Sequence, residues 1–343
     1  MQILPVDLDD TSAVDRCYQI VAAGEQLDLP GQPPQPRARF AAWLSGFGEP
    51  RRLWLAHSAD GGPVGCCVLG LPTRENVTMA ECLIAVVPEQ RRSGYGTRLL
   101  AHCVAEARAA GRSRLVGEAI DGSPGATFAA DSGSRPGIGF EFRELMINPE
   151  DQAFRSQLTQ LRADAIRLAA GYAPVSWVGS TPDEYMEDSV RLSAAMVDMP
   201  SDAGVEVPIW DAGRIRAFEE GILSSGRTLY TVAARHEASG SIVAITQVTT
   251  DEVPGGAAGQ NPSAHQGLWA RQGITAVLPE HRGHRLGVLV KVEMADVLMR
   301  LVPDLRHILT RNAEANEHMV AINVQLGYQI RSVRRDWELE VPG

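Results

Sequence analysis

The segment PEQRRSGYGTRLL, Pro88 to Leu100, follows the apolar run CLIAVV without a break, and PEHRGHRLGVLV, Pro279 to Val290, follows GITAVL in the same way. Pro88, Glu89, Arg91 and Gly96 are matched by Pro279, Glu280, Arg282 and Gly287, all at one offset, the 191 residues that separate Pro88 from Pro279. One match would be noise. Four in register, each set between a β-type run and a helical pattern, require that whatever forms around the first loop forms again around the second. The offset far exceeds the roughly 20–50 residues of a solenoid unit, so the duplicated object is a whole domain.

The flanking patterns repeat as well. RLWLAHS and PVGCCVLGL, joined by the turn-like ADGG, read as a hairpin, and VTMAECLIAVV as a longer strand that leads into the loop. From Tyr95 the period changes: Leu99, Leu100, Cys103, Val104 and Ala107 share one helical face, and Gly111 stands where a helix stops. RLVGEAI is the next strand, ATFAADSG a short helix and GFEFRELMI a final strand. From residue 227 the order recurs: RTLYTVAARH and GSIVAITQVTT around EASG, then GLWARQGITAVL, a helix from Leu286, RHILT, a helix ending at Gly327, and YQIRSVRRDWELEV. The pattern predicts an α/β chain of the α+β kind, with one domain over residues 1–150, a helical connector over 151–170 and a second domain over 171–343.

A chain of 343 residues, 44% hydrophobic and 22% charged, is long enough for two such domains and is not of disordered composition. It starts without a basic segment and lacks any run of about 20 apolar residues, so a soluble, cytoplasmic protein with no membrane partner is expected. The net charge of -10 opposes broad attraction to nucleic acid, and no nucleic-acid partner is expected. All five cysteines precede residue 104 and none forms a C-x-x-C pair. They read as small buried hydrophobes, with no disulfide framework and no metal site. Cys82 and Cys103 have no legible His/Asp partners that would make them acyl-carrying nucleophiles.

A strand, a bend rich in Gly and Arg, and a helix start direct several backbone N–H groups and the positive end of a helix dipole at one place, which is an anion site. Gly94 and Gly96 permit close approach, and Arg91 and Arg92 supply charge-assisted donors for phosphate oxygens. A Rossmann or Walker loop is a poorer fit, since neither G-x-G-x-x-G nor G-K-[ST] is present.

RRSGYG, Arg91 to Gly96, matches the R/Q-x-x-G-x-G/A signature of the Gcn5-related N-acetyltransferase (GNAT) superfamily. The whole chain resembles two such domains in tandem, in the mycothiol synthase-like plan of actinobacterial acetyltransferases. The resemblance implies two tandem GNAT acyl-CoA N-acyltransferase domains, each a mixed, mostly antiparallel sheet flanked by helices. It implies acetyl-CoA (coenzyme A) as cofactor and a small-molecule amine as acceptor. The pyrophosphate would lie on the amides of Arg92, Ser93, Gly94, Tyr95, Gly96 and Thr97, beside Arg91, in the first domain. In the second it would lie on those of Gly283, His284, Arg285, Leu286, Gly287 and Val288, beside Arg282. The pantetheine arm would pair with Ala85, Val86 and Val87, or with Ala276, Val277 and Leu278, where Asn312 or Asn316 would bond it.

Two departures from the family pattern stand out. Arg285 replaces the first signature glycine of the second loop, while a glycine moves to Gly283; and Asn323 occupies the position where many members carry the tyrosine that protonates the leaving thiolate. The first domain offers Phe128 in the comparable region. Glu81 lies within a residue of where members often place a general base, with Gln272 as its counterpart, and Tyr328 is a candidate proton donor. His281 and His284 are either solvated loop residues or cations beside phosphate. The segments LPGQPPQPR (Leu29 to Arg37) and VPGGAAGQNPSAHQG (Val253 to Gly267) read as loops that shape acceptor choice. The better-kept loop favours the first domain for binding, the asparagines the second for chemistry. An acyl-CoA-binding scaffold without activity, or an acyltransferase with another donor, remains the alternative.

Overall fold

A strand sends successive side chains to opposite faces, and in the first hairpin both sets are apolar. Leu53, Leu55, Cys66 and Val68 join one core with Val14, Cys17, Phe40 and Leu44. Trp54, Ala56, Cys67 and Leu69 join another with Leu99, Cys103 and Ala107. The sheet is therefore covered on both sides by helices, and the adjacent Cys66 and Cys67 enter different cores as buried free thiols.

The computed structural model describes residues 1–46, 51–198, 204–251 and 267–342. Among them the first half runs β1 (Gln2–Val6), α1 (Thr11–Asp28), α2 (Arg37–Ser45), β2 (Arg52–His57), β3 (Pro63–Gly70), β4 (Met79–Val86), α3 (Tyr95–Ala109), β5 (Arg114–Ile120), α4 (Pro124–Asp131) and β6 (Arg135–Met146). After α5 (Gln152–Leu168) the same order returns as β7 (Tyr172–Val178), α6 (Met186–Ala194), α7 (Ala212–Leu223), β8 (Arg227–His236), β9 (Ile242–Asp251), β10 (Leu268–Val277), α8 (Leu286–Leu301), β11 (Leu305–Ala313), α9 (Glu317–Leu326) and β12 (Gln329–Glu340). Both repeated loops open with a single 3-10 turn, Pro88–Gln90 and Pro279–His281. The Val253 to Gly267 loop lies outside the described residues up to its last glycine.

The chain forms two compact units. Unit 1 holds Met1–Gly139, the segment around residues 204–206 and the chain from Ser332, and unit 2 holds most of the remainder from Phe140 to Arg331. In unit 1 the strands are ordered β1-β2-β3-β4-β5-β12, and in unit 2 β7-β8-β9-β10-β11-β6. Neighbouring strands are antiparallel except β4 with β5 and β10 with β11. Each half thus gives its last strand to the other half's sheet: Arg334–Glu340 of β12 pair with Arg114–Ile120 of β5, and Phe140–Met146 of β6 pair with His307–Ala313 of β11. A linear division at residues 150 and 170 describes the repeat, whereas the packing follows this exchange.

The segment expected as a connector is an integral helix of unit 2. Leu158 and Ala165 of α5 are buried in its core, and Arg162 bonds Glu293 and Asp296 on α8. No helix among the described residues is long and apolar enough to cross a membrane.

Candidate functional site

In unit 1 the parallel pair β4/β5 is short. Met79–Glu81 pair with Arg114–Val116, while β4 remains paired with β3 as far as Val86. Beyond Glu81 the two strands part, so the edge of β4 that faces β5 carries backbone donors and acceptors with no strand partner, an arrangement that accepts an extended ligand. Gly117 stands at the fork, where a Cβ would come within 3.2 Å of the Cys82 carbonyl oxygen and Sγ. The space between the strands continues into a cleft of about 940 Å³, lined by Leu83–Val86, Glu118–Ile120, the inward stripe of α3 (Gly96, Leu100, Val104) and Phe128 of α4.

The loop at the mouth of this cleft keeps its amides exposed through left-handed backbone. Arg92 has φ 65° and Gly94 φ 80°. Gly94 is the N-cap of α3 and no side chain caps that helix, so its first amides stay available. A Cβ on Gly96 would meet the Phe128 ring at 3.5 Å and Val86 at 3.9 Å. Arg91 is committed elsewhere: both terminal nitrogens donate to the Asp28 carboxylate at 2.9 Å, which ties the loop to the end of α1. Arg92 is exposed and has no ion-pair partner among the described residues. Gly94, Thr97, Ala85 and Val86 line the cleft, Ser93 is exposed beside it, and Tyr95 packs into the α3 core. The Val87 amide donates to the Val64 carbonyl at 3.0 Å, and the side chain packs on the α1 core.

Glu81 stands at the apex of the fork, two residues before Leu83. Its Oε2 accepts from Arg51 at 2.8 Å, and Arg51 lies 4.6 Å over the Trp43 ring and donates to the Trp43 carbonyl. The side chain is 45% exposed, so this carboxylate is both oriented and open to a dissolved partner. Burial pushes the Cys82 thiol far up, and the hydrogen bond that the Cys103 thiol makes to Cys67, followed by burial, does the same for Cys103, which leaves neither as a nucleophile at neutral pH.

Unit 2 keeps the backbone of this site and changes its contents. Gly283 has φ 88° and Arg285 φ 55°, so the same two loop positions are left-handed, with glycine and arginine exchanged between them. The Arg285 side chain turns to Gln325 at 2.8 Å. His281 shares a hydrogen bond with the Tyr172 hydroxyl at 2.9 Å, and His284 with the Leu168 carbonyl at 3.2 Å. Burial, then the neighbouring His236, lowers the His281 pKa, which disfavours a cation there. Arg282 is exposed, Leu286, Gly287 and Val288 are buried in the start of α8, and Ala276 and Leu278 are buried with Val277 packed beside them.

The remaining candidates of unit 2 are engaged in bonds within that unit. Asn316 caps α9 by accepting from the Met319 amide. Asn323 Nδ2 donates to Asn312 Oδ1 at 2.6 Å, and the Tyr328 hydroxyl donates to Gln272 Oε1 at 3.0 Å. Burial raises the Tyr328 phenol well above its ordinary range, which weakens it as an acid. Gln272 in turn donates to Thr246 and to Thr275. The sequence reading missed Asp28, Arg51 and Lys291. Only Lys291 carried a local signal, as a lone cation in an apolar helix.

Comparison with known proteins agrees with this geometry. Residues 15–124 match the family model described as Acetyltransferase (GNAT) family. A tandem GNAT protein from the clavulanic acid biosynthesis pathway, solved without acetyl-CoA, superposes with a TM-score of 0.78 at 26% identity, over 100% of this chain and 99% of that one. A GCN5-related N-acetyltransferase from Sphaerobacter thermophilus has the same fold, with a TM-score of 0.66 at 14% identity, over 100% of this chain and 96% of that one. No curated protein sequence gives a significant match.

Proposed function

We propose that this chain, whose residues 15–124 match the GNAT family model and whose whole length superposes on a tandem GNAT structure, transfers an acetyl group from acetyl-CoA to the amine of a small molecule at the fork of unit 1. The family uses acyl-CoA for N-acetyl transfer. The observation that carries the narrower reading is the coincidence of three features: an open cleft, an uncapped helix start at its mouth and an oriented carboxylate at its inner end.

The residues present suit the cofactor. The amides of Arg92–Thr97, with the Arg92 side chain, would hold the pyrophosphate, and the unpaired β4 edge at Leu83–Val86 would take the amides of the arm. When bound there, acetyl-CoA supplies the activated acetyl group. Glu81 receives a proton from the acceptor ammonium, which frees the amine lone pair, and Arg51 fixes the carboxylate for that task. Leu83, Ile84, Val86 and Phe128 exclude water from the inner cleft. The asparagines of unit 2 do not draw the chemistry there, because Asn312, Asn316 and Asn323 all serve internal bonds.

The test is release of free coenzyme A by the intact protein with acetyl-CoA and a panel of small amines, repeated for Glu81→Gln. Amine-dependent release is expected, and the variant should lose about 10²–10⁴-fold in kcat, the usual worth of a general base, with KM for acetyl-CoA little changed. Equal rates would remove Glu81 from the reaction. Binding of acetyl-CoA without release for any amine would favour the scaffold reading, to which the lack of a tyrosine at Asn323, and the Phe128 of the comparable region in the first domain, already lend weight.

A further inference from the structure

The two α-helices that follow the repeated loops face their forks with the same stripe but with different side chains. In unit 1 the stripe is Gly96, Leu100 and Val104, each half-exposed along the cleft. The residues 191 further on are Gly287, Lys291 and Ala295, all buried, Lys291 to 4% exposure. A lysine therefore occupies the position at which the first unit presents Leu100 to open space.

Its surroundings account for its burial. Lys291 Nζ donates to Asn323 Oδ1 at 2.5 Å and lies 4.8 Å over the Tyr328 ring. Asn323 continues to Asn312 at the end of β11, and Tyr328 to Gln272 on β10, which is bonded to Thr246 on β9. The network so joins α8, α9 and Tyr328, in the turn after α9, to both arms of the second fork. Asn323 is fully buried, and Tyr328 is 4% exposed. An inserted ligand arm would have to expel the lysine and leave buried donors and acceptors without partners, a cost that the apolar, half-exposed wall of the first cleft does not impose.

We propose that unit 2 fills its own fork, with Lys291 standing where unit 1 leaves room for the cofactor arm, so that the chain binds a single acetyl-CoA, in unit 1. The inference rests on the reading of the first cleft given above. It makes unit 2 a partner in structure, one that has kept the loop and lost the slot.

Native mass spectrometry of the full chain across an acetyl-CoA titration counts bound molecules, and hydrogen–deuterium exchange locates them. One adduct at saturation is expected, with slowed exchange over Leu83–Thr97 and none over Gly283–Val288. Two adducts, or new protection at Gly283–Val288, would overturn the inference and leave the proposed transferase standing. No adduct at all would overturn both.

Discussion

Position 291 strips a lysine amine of its water, and burial alone brings its pKa from the ordinary 10.5 to about 7. In the unfolded chain the same amine keeps its proton to about 10.5, so between these values the unfolded state holds more protons and stability rises with pH; below about 7 both states are protonated and the contribution is flat at its least favourable. Lys291→Met removes that slope. The stability of the native protein minus that of the variant, from urea unfolding midpoints, is expected to grow as pH rises from about 7 towards 10, by on the order of 4 kcal/mol over the full window. Parallel curves would show that the amine is not desolvated. The loops store a smaller cost: Arg92 and Arg285 each hold a left-handed backbone that costs a non-glycine residue about 1–2 kcal/mol. That both repeats retain one such arginine beside one glycine points to a backbone shape kept for what its amides face.

At the scale of elements, the exchange of β6 and β12 has a direct consequence. A fragment ending at residue 150 contains the first loop, β4, β5 and Glu81 but not β12, so the seven paired residues Arg114–Ile120 become a bare edge. Such a fragment is expected to aggregate or to melt without a cooperative transition, and to bind acetyl-CoA far more weakly than the full chain. A monomeric fragment that folds and binds as the full chain does would contradict the exchange. The elements themselves were legible in the sequence, because the change from period 2 to period 3.6 at Tyr95 and Leu286, and the glycines at 111 and 327, mark them locally. The exchange was not, because β6 and β12 carry the same pattern at the same place in the repeat and either would satisfy either sheet. The pairs that organise the site were equally hidden: Arg91 meets Asp28 63 residues away, Arg51 meets Glu81 across 30, and Tyr328 meets Gln272 across 56. Spacing along the chain carries no trace of them.

For the whole molecule, duplication supplied two forks and side-chain substitution distinguished them. Unit 1 pairs an apolar stripe with a carboxylate at the fork, Leu100 with Glu81, where unit 2 has Lys291 with Gln272. In a chain of net charge -10 the exposed Arg92 and the loop amides supply local positive potential, suited to an anionic cofactor. The most direct test of this account is calorimetric titration with acetyl-CoA of the intact protein and of Gly96→Trp. The new side chain would enter the cleft between Phe128 and Val86. Binding by the intact protein that disappears in a variant with unchanged circular dichroism would place the cofactor in unit 1; undiminished binding by the folded variant would contradict the account.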